Sequence, residues 1–153
     1  MILKNRVAIV TGAGSGIGRA GARIMAREGA TVCVADLNET RAAETVDFIR
    51  AEGGRAETVI VDVTDDVELK MAVATVLSRH GRIDILHNHA GAQVAGDLES
   101  VPVDGLDFSW NLNVRAHLMA ARYVMPIMKA QKKGVILNTS SSSGVLYDRE
   151  MIA

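Results

Sequence analysis

An α/β fold built on a doubly wound parallel sheet is what this 153-residue chain predicts, on three observations. Short β-branched runs alternate with longer helical patterns. The first apolar run passes directly into a glycine-rich turn, Thr11 to Gly18 (TGAGSGIG). The helical stretches are followed by Gly29, Gly53-Gly54 and Gly81, where a left-handed residue closes a helix. Strands and helices in alternation need right-handed crossovers and give a parallel sheet covered on both faces. Ligands then bind outside the carboxyl ends of the strands.

In chain order, strands are expected at 6–10, 31–35, 58–61, 83–87 and 135–139. Each reads as a nearly continuous apolar run, as a parallel strand buried on both faces requires. Helices are expected at 16–28, 39–52, 65–80 and 106–129. Thr64-Asp65 opens the third helix, and Glu68, three residues after Asp65, makes a candidate capping box. The last helix is apolar nearly all round (Leu112, Val114, Leu118, Met119, Val124 and Met128 among others), so it needs cover on more than one side. It is either a central core helix or one shared between the core and a subunit interface. Pro126 is expected to kink or end it. Without repeats, low-complexity tracts or a long linker, residues 1–153 read as one domain.

That length suffices for a sizeable core. Aromatic residues are only 3%, so the core must be built from Val, Ile, Leu, Ala and Met. Seventeen basic residues against eighteen acidic ones leave a net charge of −1 and no electrostatic reason to expect nucleic acid or an anionic membrane as partner. A single cysteine, Cys33, excludes an internal disulfide and suits a reducing compartment. The apolar run Val7 to Val10 is too short for a signal peptide or a membrane span. The expectation is a cytoplasmic protein.

A strand that runs into a glycine-rich turn and then a helix makes a phosphate cradle. Gly12 permits the tight turn, Gly16 removes a side chain where backbone approaches a pyrophosphate, and Gly18 lets the helix pack on the sheet. Ser15 and Ile17 lie between them, at the positive end of the helix dipole. Asp36 ends the second strand, where a carboxylate accepts hydrogen bonds from both adenosine ribose hydroxyls and repels a 2′-phosphate. Leu37 follows where an arginine would greet that phosphate, and Ser15 is uncharged; the set favours NAD over NADP. The competing explanation is that Asp36 caps the next helix, and its place right after the strand favours the ribose role. Asp62-Val63 follows the third strand, either meeting and packing on the adenine or merely starting the next helix. Asn88-His89-Ala90-Gly91 follows the fourth, where small residues let backbone approach a cofactor. His87 and His89 share a face of an extended segment, but no metal site is expected, and Cys33 reads as an inert core thiol.

Together these residues resemble the short-chain dehydrogenase/reductase family in its compact single-domain form, with a Rossmann-type sheet. Thr11, Gly12, Gly16 and Gly18 match its T-G-x-x-x-G-x-G, Asp36 its NAD-selecting acid, and Asp62-Val63 its adenine-pocket pair. Asn88-His89-Ala90-Gly91 is similar to its N-N-A-G, with His89 in place of the second asparagine. Asn113 falls where the family carries its catalytic asparagine. Asn138-Thr139-Ser140-Ser141, with Gly144 beyond, is similar to the segment ending in the catalytic serine, for which Ser141 is the best match. The resemblance implies hydride exchange between NAD(H) and an alcohol or carbonyl substrate. It also implies a homodimer or homotetramer built on helices that include the one carrying Asn113.

The chain departs from the family at the acid–base pair, Y-x-x-x-K. Tyr123 is followed four residues later by Ile127, and Tyr147 by Met151. The expectation is therefore an N-terminal part of a dehydrogenase, with its sheet incomplete on the C-terminal side and its catalytic site short of a proton donor. Two other readings stay open: an NAD-binding module without catalysis, and an interaction protein that dimerises through the long apolar helix.

Overall fold

The structure, a computed structural model, describes residues 1–97 and 99–142. Five strands, β1 (Val7–Thr11), β2 (Thr31–Asp36), β3 (Arg55–Ile60), β4 (Ile85–Asn88) and β5 (Val135–Asn138), form one sheet in the order β3-β2-β1-β4-β5. Every pairing is parallel. The helices are α1 (Gly16–Arg27), α2 (Glu39–Ala51), α3 (Asp66–His80), α4 (Val103–Trp110) and α5 (Ala116–Gln131). A π-helical turn, Asn111–Arg115, joins α4 to α5 without a break.

Side chains of a strand alternate between faces, and β1 shows both sides of the double winding. Val7 and Ile9 enter a core with Leu69, Val73 and Val76 of α3 and Ala120 and Val124 of α5. Ala8 and Val10 enter another with Ala22 and Ala26 of α1 and Val46 and Ile49 of α2. Small residues on α1 hold it close to the sheet, while α2 and α3 fill their sides with branched aliphatics. This two-faced burial is why the strands read as continuous apolar runs.

Where element ends differ from expectation, local bonds explain the shift. The β3 strand starts at Arg55, ahead of its apolar run, because Arg55 and Glu57 sit in register with Thr31 and Cys33 of β2. As an edge strand, β3 tolerates polar residues on its open side. Asp65 caps α3, accepting from the N–H groups of Val67 (2.8 Å) and Glu68 (2.9 Å). Glu68 does not complete a capping box, however, because its carboxylate accepts from the Asp62 N–H (2.9 Å). Pro126 does not end the last helix, which runs on to Gln131 and closes on Lys132 in the left-handed region (φ 54°). The stripe Ala116, Ala120, Val124 and Met128 of α5 is buried, while Trp110 and Leu118 are exposed. Among the described residues, one side of this helix is thus covered and the other is open. No helix among them is long and apolar enough to cross a membrane.

The lower end of the sheet is tied by Asp84, just before β4 and nearly fully buried. Its carboxylate accepts from Arg6 Nη1 (3.0 Å), Val7 N (2.9 Å) and Arg82 Nε (2.7 Å). Burial pushes this carboxyl upward, but the bonds from Arg82, Val7 and Arg6 outweigh burial and hold it below its ordinary range. Folding then favours the ionised form. The stabilisation is present above the unfolded carboxylate value of about 3.9 and is lost as pH falls through the lower folded value. Asp84→Ala should lower stability by about 2 kcal/mol at neutral pH, since it leaves a buried N–H and two guanidinium groups without their partner. Urea melts of the two proteins should differ by that amount at pH 7 and converge in strong acid.

Candidate functional site

The carboxyl ends of β1, β2 and β4 meet around the glycine turn. Gly12 and Gly16 both adopt left-handed backbone (φ 65° and 52°). A Cβ on Gly12 would lie 2.9 Å from Ala90 Cα, and one on Gly18 would collide with the Gly12 carbonyl oxygen. Nothing lies within 4 Å of the Cβ position of Gly16, so the space over the turn is open. The first intrahelical bond of α1 runs from Arg19 N–H to Ser15 C=O (3.0 Å). The N–H groups of the preceding turn therefore point outward, at the positive end of the helix. Ser15, Gly16 and Ile17 are exposed there, and the Ser15 side chain makes no capping bond.

Three side chains fix this turn from behind. Asp36 Oδ2 accepts from Gly14 N–H (2.7 Å) and Oδ1 from Asn38 N–H (2.9 Å). Asp36 does not cap α2; that task falls to Asn38, which accepts from Arg41 N–H (2.9 Å). A carboxylate has about four acceptor positions, so two protein bonds leave Asp36 able to take hydroxyl donors from a ligand. Arg19 donates through Nε to Gly14 O (3.1 Å) and to Thr45 Oγ1 (2.9 Å), and the Thr45 hydroxyl donates to Ala13 O (3.0 Å). Leu37, beside Asp36, is exposed. Asp62 Oδ1 accepts from both N–H and hydroxyl of Thr64, while Val63 is buried in the core.

The segment after β4 is held just as closely. Thr11 Oγ1 accepts from the N–H groups of His89 (3.0 Å) and Ala90 (3.1 Å), and His117 Nε2 lies 2.9 Å from Ala90 O. Asn88 is buried, its amide donating to His117 O (3.1 Å) and Asn138 Oδ1 (2.9 Å). Thr139 Oγ1, beyond β5, lies 3.0 Å from both His87 Nε2 and His89 Nδ1. A hydroxyl has one proton, so it donates to one ring and accepts from the other. Burial pushes both imidazoles below their ordinary value; His89 and His117 add to the effect at His87, and His117 adds to it at His89.

Asn113 sits in the π turn. Its Oδ1 accepts from Ala92 N–H (3.1 Å) and its Nδ2 donates to Ala92 O (2.7 Å), leaving only the bare backbone of Gly91 room beside it. Ser141 is exposed beyond the carboxyl end of β5. Ser143, Gly144 and Tyr147 lie outside the described residues, and Tyr123 is packed against the core. The arrangement offers an open glycine turn with outward N–H groups, a carboxylate at the end of β2 bonded to that turn, and polar side chains beyond the ends of β4 and β5. Sequence reasoning passed over Arg19, Thr45, His117 and the bridging part of Thr139. Nothing in their spacing marks them, because each acts across elements. A separate cluster, Cys33, Glu57 and His80, gathers elsewhere on the sheet.

The family model described as short chain dehydrogenase matches residues 6–153. The uncharacterized oxidoreductase YxbG of Bacillus subtilis is 41% identical over 147 residues, covering 95% of this chain and 54% of that protein. The meso-2,3-butanediol dehydrogenase of Serratia marcescens is 36% identical over 147 residues, covering 95% of this chain and 57% of that one. The crystal structure of a short chain dehydrogenase/reductase from Burkholderia phymatum in complex with NAD superposes with a TM-score of 0.94 at 32% identity, covering 99% of this chain and 54% of that one. The chain thus spans little more than half the length of these relatives.

Gly18→Ala should destabilise the protein by about 2 kcal/mol through overpacking, and should cost nucleotide affinity even where the fold survives; thermal melts and ligand titration measure the two separately. The depressed imidazoles give a second expectation. Folding favours their neutral forms, so stability should decline as pH drops below the unfolded value of about 6.5. A His87→Gln, His89→Asn double variant should flatten that decline in melts between pH 8 and pH 5.

Proposed function

This chain belongs to the short-chain dehydrogenase family, and from that premise we propose that it carries the NAD half-site of an oxidoreductase acting on an alcohol or carbonyl substrate. The observation that supports this most is the Asp36 carboxylate at the end of β2, bonded to the Gly14 N–H of the phosphate turn. One residue thereby holds the cradle in shape and faces the place of the adenosine ribose. The cradle fits the group: bare backbone at Gly12, Gly16 and Gly18, outward N–H groups on α1, and no side chain filling the space over Gly16. Asp36 beside uncharged Leu37 and Ser15 favours NAD over its 2′-phosphorylated counterpart. NAD, when bound, supplies or accepts hydride at C4 of its nicotinamide.

The remaining residues position that exchange. Gly12, Ser15, Gly16, Ile17 and Gly18 hold the pyrophosphate through backbone and helix end. Asp62 and Val63 border the adenine. Asn88, His89, Ala90 and Gly91 bring the β4 end against the cofactor, kept in place by Thr11. Ser141 hydrogen-bonds the substrate oxygen, and Asn113 orders the Ala92 backbone and a proton-relaying water. Assembly as a homodimer or homotetramer would cover the open side of α4 and α5, where Trp110 and Leu118 are exposed. A second reading, an NAD-binding module without catalysis, shares the glycine turn and Asp36 and differs in expecting cofactor binding without turnover.

Titration with NADH and NADPH, followed by fluorescence, tests the half-site. NADH should bind more tightly, and Asp36→Arg should weaken NADH by about 10- to 100-fold, the worth of a charge-assisted hydrogen bond, while improving NADPH. Equal binding of the two coenzymes, unchanged by the substitution, would sink the assignment. Alcohol-dependent reduction of NAD that Ser141→Ala abolishes supports the enzyme; binding without turnover supports the module.

A further inference from the structure

We propose that Cys33, Glu57 and His80 form a binding site for one thiophilic divalent cation, represented by Zn²⁺. The three residues come from different elements. Cys33 on β2 and Glu57 on β3 are paired in register, and His80 ends α3 above them. Their ligand atoms all lie within 4.8 Å of one another. Cys33 Sγ is 3.6 Å from Glu57 Oε1, and His80 Nε2 is 3.1 Å from the same oxygen.

Those spacings suit one metal. Tetrahedral zinc with bonds of about 2.3 Å to sulfur, about 2.0 Å to nitrogen and about 2.1 Å to oxygen separates its ligands by about 3.4–3.6 Å. The site needs only small side-chain adjustments to reach that geometry. The other Glu57 oxygen, Oε2, is held 3.4 Å from Arg79 Nη1, which fixes the carboxylate with Oε1 turned toward the thiol and the imidazole. A ligating carboxylate oriented by a group behind it is the usual arrangement in metal sites.

Charge and access agree. Zn²⁺ with a thiolate and a carboxylate is electrically neutral, so the ion adds little cost from burial. Cys33 is fully buried, whereas Glu57 and His80 are partly exposed, so entry is from the His80 side. Without metal, burial and then the Glu57 charge hold Cys33 as a thiol. Binding replaces the S–H bond with a metal–sulfur bond and releases one proton to solvent. The three ligands leave a fourth position for water. The site lies apart from the nucleotide cradle and does not rest on the function proposed above.

Titrating the purified protein with Zn²⁺ against a chromophoric competing chelator should show one ion bound per chain. Co²⁺ in its place should give a thiolate-to-cobalt charge-transfer band. Cys33→Ser should remove that band. His80→Gln, at the end of a helix and no burden to the core, should weaken Zn²⁺ by about 100-fold or more, since even losing a group behind a ligand costs about 10- to 100-fold. If Cys33→Ser fails to fold, His80→Gln and the cobalt spectrum decide alone. Absence of stoichiometric binding, absence of the charge-transfer band, or affinity unchanged in His80→Gln would overturn the site.

Discussion

The absence of a side chain at Gly18 is the constraint from which the glycine-turn end of this molecule follows. The Gly12 carbonyl occupies the place where a Cβ would be. Only that contact lets α1 start directly against the tip of β1. The helix end, its outward N–H groups and the turn are thereby fixed relative to the sheet. Once α1 sits there, Gly14 falls within reach of Asp36, and Arg19 can reach back to the Gly14 carbonyl. The bonds that shape the cradle depend on a steric vacancy one turn into the helix.

Around that point the strand ends are joined by hydroxyls and amides. Thr11 receives two backbone N–H groups from the β4 segment, Asn88 links β4 to β5 and α5, and Thr139 links β5 back to two imidazoles. Each of these groups is partly or fully buried or faces another, so an unmade bond there would be costly. The rim of the site is a connected polar layer over an apolar sheet. That division explains how exposed ligand-facing backbone can sit on a core made almost wholly of small and branched aliphatic residues.

What the sequence made legible was whatever is local. The strand periodicity and the glycine-rich turn are local patterns, and the carboxylate at the end of β2 is marked by its place right after the strand, although its bond to the Gly14 N–H spans two elements. All five strands and the helices between them follow from that kind of signal. The family resemblance, which the matched residues 6–153 bear out, likewise rests on short motifs. The misreadings came from elements that neighbours rescue or redirect. Pro126 was expected to kink or end its helix, and ending it is ruled out because α5 continues past it to Gln131. Glu68 had the spacing of a capping box, but the Asp62 N–H lay within reach and took its carboxylate. Arg19, Thr45 and His117 bind groups of other elements, and the meeting of Cys33, Glu57 and His80 needs the β2–β3 register together with the end of α3. None of that is written in residue spacing.

The π turn at Asn111–Arg115 closes its ring from Ala116 N–H to Asn111 C=O, one residue longer than an ordinary helical turn. Such a turn is equivalent to a single inserted residue in an otherwise regular helix. Shortening this stretch by one residue would restore plain α-helical winding and leave the buried stripe from Ala116 to Met128 facing the same way. The same deletion would swing Asn113 off the Ala92 backbone. Packing and site geometry are therefore encoded separately along one helix, and chain length within a single turn can alter the second without disturbing the first.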